Sequence, residues 1–520
     1  MNEETQMTAA QAAGASSTKR KHQWQTLPWP KVEAHVLRLQ IRIAKAEREG
    51  KKGKVKALQR LLTSSFYAKC MAVKRVTSNK GSKTPGIDGN LLQSPKQKMQ
   101  AVTDLNRKGY TPSLLRRIHI PKKSGGNKTR PLSIPTIKDR TMQALWYAAL
   151  LPVAEERADP NAYGFRPKRS AHDAIDQCHI TLSKRNSATW ILEGDIKSCF
   201  CNLDHKWLED NIPMDKVILR KFLKAGFVEN GEEHPTESGA CQGGVISPTL
   251  AVMALSGIER KLVRDKAKHR NKEKINMIAY ADDFVVTAAS EAILRDKVIP
   301  TITAALKEVG LELSQEKTKI TQIDKGFDFL GFNIRKYKSG KLLTKPSKAN
   351  VIRFLREIRT CIKKGTALPT DKLIHLLNQK ITGWTNYYRS VVSSRVFARI
   401  DSEIFVALKR WGLKRHPRKS KSWIMRKYYT CVDNDNWRFY CGIKDKEGKI
   451  KPLYLKRATD TRIRRHKKIR NEANPFNPIF KEYFKQRELE RRPERNLLAN
   501  KTSSAGLRIV QPYEGPSVLR

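Results

Sequence analysis

Residues 275–289, with the sequence INMIAYADDFVVTAA, constrain the fold more than any other stretch of the chain. Two apolar, β-forming runs enclose the adjacent carboxylates Asp282 and Asp283, so the pattern predicts a hairpin with an acidic tip. Neighbouring anions repel each other, and burying charge is costly. A plain turn is one interpretation, because aspartate is a common turn residue. A divalent-metal site is the other, because cations would remove the repulsion.

A second isolated aspartate favours the metal interpretation. Asp195 comes shortly after the apolar residues Trp190, Ile191 and Leu192 in the sequence ATWILEGDIKSCF. A site that transfers nucleotides with two metal ions needs carboxylates from separate strands. Asp195 alone would more often be a structural residue. Together with the Tyr-Ala-Asp-Asp hairpin, it predicts that Asp195, Asp282 and Asp283 meet around two cations.

The charge of the chain indicates a polyanionic partner. Lys and Arg number 103 against 50 Asp and Glu, a net charge of +53 over 520 residues, and 39% of the residues are hydrophobic. A chain with this share of hydrophobic residues can fold, but its positive charges repel one another unless a polyanion neutralises them. We therefore expect a globular nucleic-acid-binding protein. We find neither an apolar run of about 18 residues nor a hydrophobic signal core at the start. These features predict no membrane association and a cytoplasmic location.

The arrangement of apolar runs predicts an α+β protein with a helical continuation. Residues 29–76 have a basic, helical pattern, and short β-like runs alternate with helices between about 115 and 335. After Gly340, three amphipathic segments with basic faces predict helices. Beyond Pro417 the sequence becomes more basic and irregular, and it ends in a polar tail. The length predicts three or four domains.

Ordered sequence blocks carry a resemblance to a known family. The blocks are KTPGIDG, RRIHIPKKSGGNKTRPLSIPTIKDR, NAYGFRPKRSAHDAI, GDIKSCF, QGGVISPTLAVMALSGIE, YADDFVV, GLELSQEKTKI and FDFLGFNIRK. In this order they resemble the reverse transcriptase blocks of group II intron-encoded proteins, over about residues 30–480. The resemblance implies an α+β right-hand polymerase fold, with fingers and a palm built on antiparallel sheet, an α-helical thumb and a small basic C-terminal domain.

The resemblance also implies a division of the chain into segments. We expect a disordered N-terminus (1–22), a basic helical extension of the fingers (23–90), reverse transcriptase fingers and palm (91–340), a thumb or maturase X domain (341–417), a basic DNA-binding domain (418–495) and a polar tail (496–520). The last Cys is Cys441 and the last His is His466. An HNH nuclease needs clustered His, so we expect no endonuclease domain.

Roles at the active site are carried over from the family, position by position. Asp195, Asp282 and Asp283, with the backbone carbonyl of Ile196, would hold two Mg²⁺ ions, with Mn²⁺ as an alternative. Nucleotide contacts would come from the residues at the matching motif positions: Lys122, Arg130, Phe200, Gln242 and Tyr280. Lys122 and Arg130 would neutralise the triphosphate of a dNTP, and Phe200 would exclude a 2′-hydroxyl. The alternatives are a solvated basic hairpin for the two cations and a core position for Phe200.

Nucleic-acid contacts are expected along three basic stretches. Their candidate residues are Arg166, Lys168, Arg169, Tyr387, Arg389, Arg464, Arg465 and Lys467. Trp384 lies four residues from Tyr388, a spacing that favours packing in the helical core over RNA contact. For Asp173, a solvent-facing or helix-capping position is the favoured interpretation.

The implied function is an RNA-dependent DNA polymerase that is also the maturase of a group II intron. Its partners would be the intron RNA, target DNA and an RNA template with a DNA primer, in a ribonucleoprotein of the bacterial cytoplasm, with no membrane and no stable protein partner. One alternative is a splicing factor that keeps the fold without the chemistry. Others are a retron or defence-type reverse transcriptase and an RNA-dependent RNA polymerase, which Phe200 as a sugar filter disfavours.

Overall fold

The computed structural model describes residues 24–121, 129–263, 272–432, 435–445 and 447–491. The predictions for residues 1–22, for residues 496–520 and for Lys122 therefore lie outside the described residues. In chain order the helices are α1 Trp29–Arg48, α2 Lys52–Ser64, α3 Phe66–Thr77, α4 Pro95–Asp104, α5 Ile137–Arg157, α6 Ala171–Leu182, α7 Cys199–Asn202, α8 His205–Asn211, α9 Lys216–Leu223, α10 Ser247–Leu255, α11 Ile258–Leu262, α12 Glu291–Ile293, α13 Ile299–Glu308, α14 Lys348–Lys364, α15 Thr370–Tyr388, α16 Ser394–Arg415, α17 Lys421–Tyr428 and α18 Lys481–Arg491.

The strands alternate with helices in the middle of the chain and return near its end. They are β1 Leu115–Pro121, β2 Thr129–Ile134, β3 Trp190–Asp195, β4 Phe227–Glu229, β5 Glu232–His234, β6 Asn276–Tyr280, β7 Asp283–Ala288, β8 Lys319–Gln322, β9 Phe327–Phe329, β10 Phe332–Lys336, β11 Leu342–Pro346, β12 Tyr429–Val432, β13 Asp435–Lys444 and β14 Ile450–Tyr454. Short 3₁₀ turns occupy Lys80–Lys83 and Pro478–Phe480, and a π-helical turn at Leu294–Val298 joins α12 to α13.

The central sheet has the order β6-β7-β3-β8, and every neighbouring pair in it is antiparallel. Side chains of a strand alternate between its two faces, and both faces of this sheet are covered. Leu192 and Val286 pack into one apolar cluster, which includes α1 to α3 and α5. Ile191 and Val285 pack into a second cluster, which includes α6 and α14 to α17. Burial on both faces explains why these strands read as continuous apolar runs.

A second sheet, β2-β1-β4-β5, carries the predicted basic hairpin. β1 and β2 pair antiparallel from Arg116 opposite Ile134 to Pro121 opposite Thr129, and β4 adds to β1 in parallel. The guanidinium of Arg117 lies 3.1 Å from the centroid of the Phe227 ring, which is a close cation–π contact between the two hairpins. The hairpin is therefore attached to the body of the protein at its base.

The predicted helices after Gly340 are confirmed as α14, α15 and α16. Trp384 on α15 stacks on Phe354 with ring centroids 4.8 Å apart and meets Tyr388 at 4.4 Å, which confirms its packing role. The irregular structure predicted beyond Pro417 is wrong in part, because α17, the sheet β12-β13-β14 and α18 are regular. No helix in the described part of the chain is long and apolar enough to cross a lipid bilayer.

Asp173 ties the C-terminal segment to α6. It is fully buried, so a solvent-facing position is wrong, and its Oδ2 accepts from the backbone N–H of Ser170 (2.9 Å) as a helix cap. Its Oδ1 accepts from His466 Nε2 (2.9 Å), from the N–H of Ile469 (2.8 Å) and from a guanidinium nitrogen of Arg487 (2.8 Å). Burial alone would raise the pKa of Asp173, but bonds from His466 and Ser170 hold that pKa well below its ordinary value.

Candidate active site

The acidic hairpin forms as predicted. Tyr280 at the end of β6 pairs with Asp283 at the start of β7, so Ala281 and Asp282 form a two-residue turn. Ala281 has a φ of +61°, a left-handed conformation that residues with a side chain rarely adopt. Such strain is characteristic of functional sites, where the surrounding structure imposes it.

Asp195 and Asp283 lie directly opposite each other on the neighbouring strands β3 and β7. Residues paired in this way have Cα atoms roughly 4.5–5.5 Å apart, so their side chains share one face at the end of the sheet. The segment after α13 closes the site: the N–H of Ser314 donates to the backbone oxygen of Asp195 (2.8 Å), and Lys317 Nζ donates to its Oδ2 (2.8 Å). Ile196, the expected carbonyl ligand, is buried and bridges to Leu313.

The charges of these aspartates suit a cation. Burial and the negative charges of Asp282 and Asp195 raise the pKa of Asp283 to about 6, although part of Asp283 is open to solvent. Burial and Asp195 also raise the pKa of Asp282, while Lys317 and Arg130 oppose the rise. Carboxylate oxygens are the ligands that Mg²⁺ prefers. The donor set and its mutual repulsion therefore fit a divalent cation.

In this structure the side chains of these aspartates do not form a closed shell of metal ligands. Among the described residues, no group of three His, Cys, Asp or Glu side chains is gathered closely enough to hold a metal ion. The cation that contacts Asp195 in this structure is the ammonium of Lys317, whose own pKa is raised by this hydrogen bond. The sequence motif GLELSQEKTKI contains Lys317. Nothing in that motif, read alone, indicates that its lysine meets Asp195.

Gly164 supports the turn from below. The segment before it continues the central sheet at its edge, because the N–H of Tyr163 donates to Ala279 O (2.9 Å) and the N–H of Ala279 donates to Asn161 O (3.0 Å). A Cβ atom at Gly164 would lie 2.2 Å from the backbone nitrogen of Ala281. Only glycine permits this approach. The motif NAYGFRPKR thus provides the floor of the acidic turn, a role that sequence reasoning missed.

Phe200 lies beside the acidic turn. It is half-buried on α7, meets the exposed ring of Phe165 edge-on at 5.9 Å, and lines a cleft together with Ala281 and Asp282. Phe200 therefore lies near Asp282, and its role as a sugar filter stays a prediction. It also packs against the first apolar cluster, as the alternative interpretation expected.

The loop that carries the predicted nucleotide contact Gln242 pairs with β2, the strand that carries Arg130. The N–H of Ser133 on β2 donates to the backbone oxygen of Gln242 (3.0 Å). Gly243 has a φ of +137°, and a Cβ there would meet Ser133 O at 2.5 Å. Arg130, on the same strand, is exposed and close enough to Asp282 to lower its pKa. Tyr280 is half-buried beside the turn.

Arg166 does not have the exposed position expected of a template contact. Only 4% of its side chain is exposed. Its Nε and one terminal nitrogen donate to the carboxylate of Glu155 (2.9 and 3.0 Å), and the other donates to Asp159 O and Ala162 O (both 2.8 Å). The guanidinium is thus fully occupied inside the protein, which disagrees with direct nucleic-acid contact.

Lys168 and Arg169 contact the C-terminal segment instead of leaving a free basic surface. Lys168 forms an ion pair with Glu488 on α18. Arg169 donates to Asn471 O (3.0 Å) and Ala473 O (3.2 Å), and burial lowers its pKa to about 10. The sequence could not distinguish these internal contacts from a nucleic-acid surface, because their partners are some 300 residues away in the chain.

The remaining candidates surround a cleft lined mainly by basic side chains, which we call the basic cleft. Its lining includes His172, Arg389, Arg464, Arg465, Lys467 and Arg487. The N–H of Arg464 donates to Arg389 O (2.9 Å), which holds the two basic stretches together. Tyr387 lies beside the cleft: its hydroxyl donates to Leu330 O (3.0 Å), and its ring meets His172 at 4.9 Å.

Three family descriptions match successive parts of the chain. Residues 24–105 match the N-terminal domain of reverse transcriptase, residues 120–334 match reverse transcriptase (RNA-dependent DNA polymerase), and residues 351–429 match the maturase-specific domain of group II introns. The chain belongs to the group II intron-encoded reverse transcriptases. It is accordingly an RNA-directed DNA polymerase with a maturase domain.

Curated relatives agree with this family. Protein YkfC of Escherichia coli (strain K12) is 31% identical over 328 residues, which cover 55% of this chain and 84% of that protein. Group II intron-encoded protein LtrA of Lactococcus lactis subsp. cremoris is 30% identical over 343 residues, which cover 52% of this chain and 55% of LtrA. An uncharacterized 91 kDa protein in the cob intron of Schizosaccharomyces pombe is 27% identical over 421 residues, 63% of this chain and half of that protein. The reverse transcriptase thus spans only about half the length of the latter two.

Proposed function

We propose that Asp195, Asp282 and Asp283 are the catalytic carboxylates with which this reverse transcriptase copies its intron RNA into DNA. The observation that carries the proposal is the pairing of Asp195 with Asp283 on neighbouring strands, beside a strained turn that contains Asp282. Strands from distant parts of the chain have no packing reason to end in opposed carboxylates. A cation-dependent reaction gives that reason.

The residues around the turn have distinct parts in the reaction. Asp195, Asp282 and Asp283 would hold two Mg²⁺ ions; when bound, these make a primer 3′-hydroxyl a better nucleophile and neutralise charge on the triphosphate. Arg130 binds triphosphate oxygens, and Phe200 rejects a 2′-hydroxyl at the sugar. Gln242 and Tyr280 line the nucleotide pocket. Lys317 keeps the Asp195 carboxylate in place through its hydrogen bond.

The division of labour along the chain follows the right-hand polymerase arrangement. In this proposal residues 91–340 form fingers and palm, the helices of residues 341–417 form the thumb, and residues 418–495 bind target DNA. The second apolar cluster supports a joint role for the last two segments, because it includes side chains of α14 to α18 and of the central sheet. The N-terminal helices α1 to α3 pack on α5 and extend the fingers.

The basic cleft is the proposed path of a nucleic-acid backbone. Arg464, Arg465 and Lys467 are exposed, and Arg389 is half-buried at the wall. Lys467 has one carboxylate nearby, Glu490 at 3.1 Å, so the cleft retains a large positive excess. Phosphate contacts of this kind position a strand without reading its sequence.

We further propose that the reverse transcriptase assists splicing of its intron RNA and copies the inserted intron at a DNA target. The match of residues 351–429 to the maturase-specific domain supports the RNA partner. The name of LtrA describes it as a group II intron-encoded protein, which supports the same source of RNA. A bacterial ribonucleoprotein is the expected setting.

The test is a pair of asparagine variants, Asp195→Asn and Asp283→Asn, compared with Asp296→Asn as the control. Asp296 is exposed on the π-helical turn Leu294–Val298. DNA synthesis on an RNA template with a DNA primer should be abolished in the first two variants and unchanged in the control. Intron RNA binding and assisted splicing should persist in all three, because the carboxylates act only in synthesis.

Two results would count against this assignment. Synthesis by Asp283→Asn at the wild-type rate would remove the carboxylates from the reaction. Loss of splicing as complete as the loss of synthesis would indicate a structural role and favour the splicing-factor alternative. Incorporation of NTPs as readily as dNTPs by the wild-type protein would favour an RNA polymerase and contradict the role of Phe200.

A further inference from the structure

An exposed tryptophan is held in a strained conformation near the C-terminal end. Trp437 is 55% exposed and has a φ of +67°. It lies at a bulge in the β12-β13 pair, where Thr430 faces Arg438 and Val432 faces Asp435, leaving two residues opposite Cys431. Glycine is the usual residue for a left-handed position in such a bulge. A bulky aromatic ring there, open to solvent, costs free energy and gains little from burial.

The ring of Trp437 forms one wall of a separate cleft. The cleft lies between α16, the β12-β13 pair and residues 455–457. Its inner surface is apolar, with contributions from Ile404, Phe405, Leu408, Tyr429, Phe439 and Leu455. A concave surface lined mainly by apolar and aromatic side chains, with a few polar groups, is the usual form of a ligand site.

Cations lie at the mouth of the cleft. Lys456 and Arg457 line it and are half-exposed. Arg457 donates to Asn436 O (2.8 Å), which places its guanidinium beside the backbone that carries Trp437. Aromatic rings next to cations are the usual arrangement for binding unpaired bases, because the ring stacks on the base and the cations meet its phosphates.

We propose that this cleft binds one unpaired base of a single-stranded nucleic acid, with Trp437 stacked on the base and Lys456 and Arg457 against the adjoining phosphates. The proposal deepens the proposed nucleic-acid binding by the segment after α16 and rests on it. A base needs an open strand to enter the cleft, so fully paired duplex is excluded from it. The unpaired strand comes either from the intron RNA or from the DNA target, and the experiment distinguishes the two.

Binding is measured by fluorescence anisotropy with labelled pyrimidine strands of about 12 nucleotides, as RNA, as single-stranded DNA and as duplex DNA. No dNTP is present, so failure of DNA synthesis cannot influence the result. Trp437→Ala and Trp437→Gly should weaken single-strand binding by about 5- to 150-fold. Trp437→Phe should retain most of it, and duplex binding should change by less than about twofold. Ile450→Ala, which removes another exposed apolar side chain (72% exposed) from β14, is the control.

The glycine variant separates binding from folding. Glycine suits a φ of +67°, so Trp437→Gly should melt at or above the wild-type temperature while it loses single-strand binding. A loss confined to RNA assigns the base to the intron, a loss confined to DNA assigns it to the target, and equal losses show recognition of the base alone. The proposal is overturned if the variants bind single strands like wild type. Equal weakening of duplex binding also overturns the proposal, because it would indicate a general electrostatic role. A lower melting temperature for Trp437→Gly overturns it as well, because it would indicate that Trp437 stabilises the fold by packing.

Discussion

Gly164→Ala tests whether DNA synthesis requires the acidic turn at the position that it has in this structure. The added Cβ would lie 2.2 Å from Ala281 N, 2.8 Å from Tyr280 C and 2.9 Å from Ala281 Cα. All three are backbone atoms, so no side chain can rotate away. Ordinary contacts begin at 3.4 Å, and the turn or the supporting segment must therefore move by about 1 Å.

A displacement of this size at the carboxylates should be costly for the reaction. Misplacement of a catalytic group by about 1 Å can lower a rate roughly 100-fold, which corresponds to about 2.7 kcal/mol in the activation barrier. Overpacking of the buried contact should lower the free energy of unfolding by about 1–3 kcal/mol. Affinity for primer and template should be unchanged, since the basic surfaces lie elsewhere.

The assay is single-turnover incorporation of one dNTP on a preannealed RNA template and DNA primer at saturating enzyme. Gly383→Ala is the matched control, because a Cβ there meets nothing within 4 Å on α15. It should keep full activity and gain up to about 1 kcal/mol of stability. A folded Gly164→Ala enzyme that incorporates nucleotide within about twofold of wild type would refute the argument that the turn position is critical.

Three further perturbations have outcomes fixed by the structure. Glu155→Gln removes the counter-charge of buried Arg166 and should lower the free energy of unfolding, measured in urea, by about 3–5 kcal/mol. Unchanged stability together with weaker template binding would instead indicate that Arg166 contacts nucleic acid. Because its pKa is depressed, ionised Asp173 stabilises the fold at pH values above its ordinary pKa of 3.8. This stabilisation is lost as the pH falls below that value. The melting temperature of wild type should therefore fall more steeply in acid than that of Asp173→Asn, and parallel curves would contradict the linkage. Affinity for RNA should fall steeply with salt, whereas a flat response would contradict the phosphate-binding role of the +53 charge.

The sequence by itself predicted the central strands, the helices that follow Gly340 and the identity of the acidic residues, but not the regular elements beyond Pro417. Apolar periodicity is a local property, so it predicted the strands around Asp195 and Asp283 and the helices α14 to α16. The adjacent carboxylates of the turn raised an electrostatic problem that a cation solves, and no coordinates were needed to see it. The packing of Trp384 followed from its spacing to Tyr388 along one helix face.

Only the tertiary structure decided which charged groups are free to act. Arg166, Lys168 and Arg169 appear as a basic surface in the sequence, but each has a partner within the protein. Lys317 and Gly164, which carry no special signal in the sequence, contact Asp195 and the turn. The physical reason is that a single charged residue or glycine, unlike a run of apolar residues, forms no repeating pattern in the sequence. Its role depends on the residue that folding brings to it, and that residue lies far away in the chain.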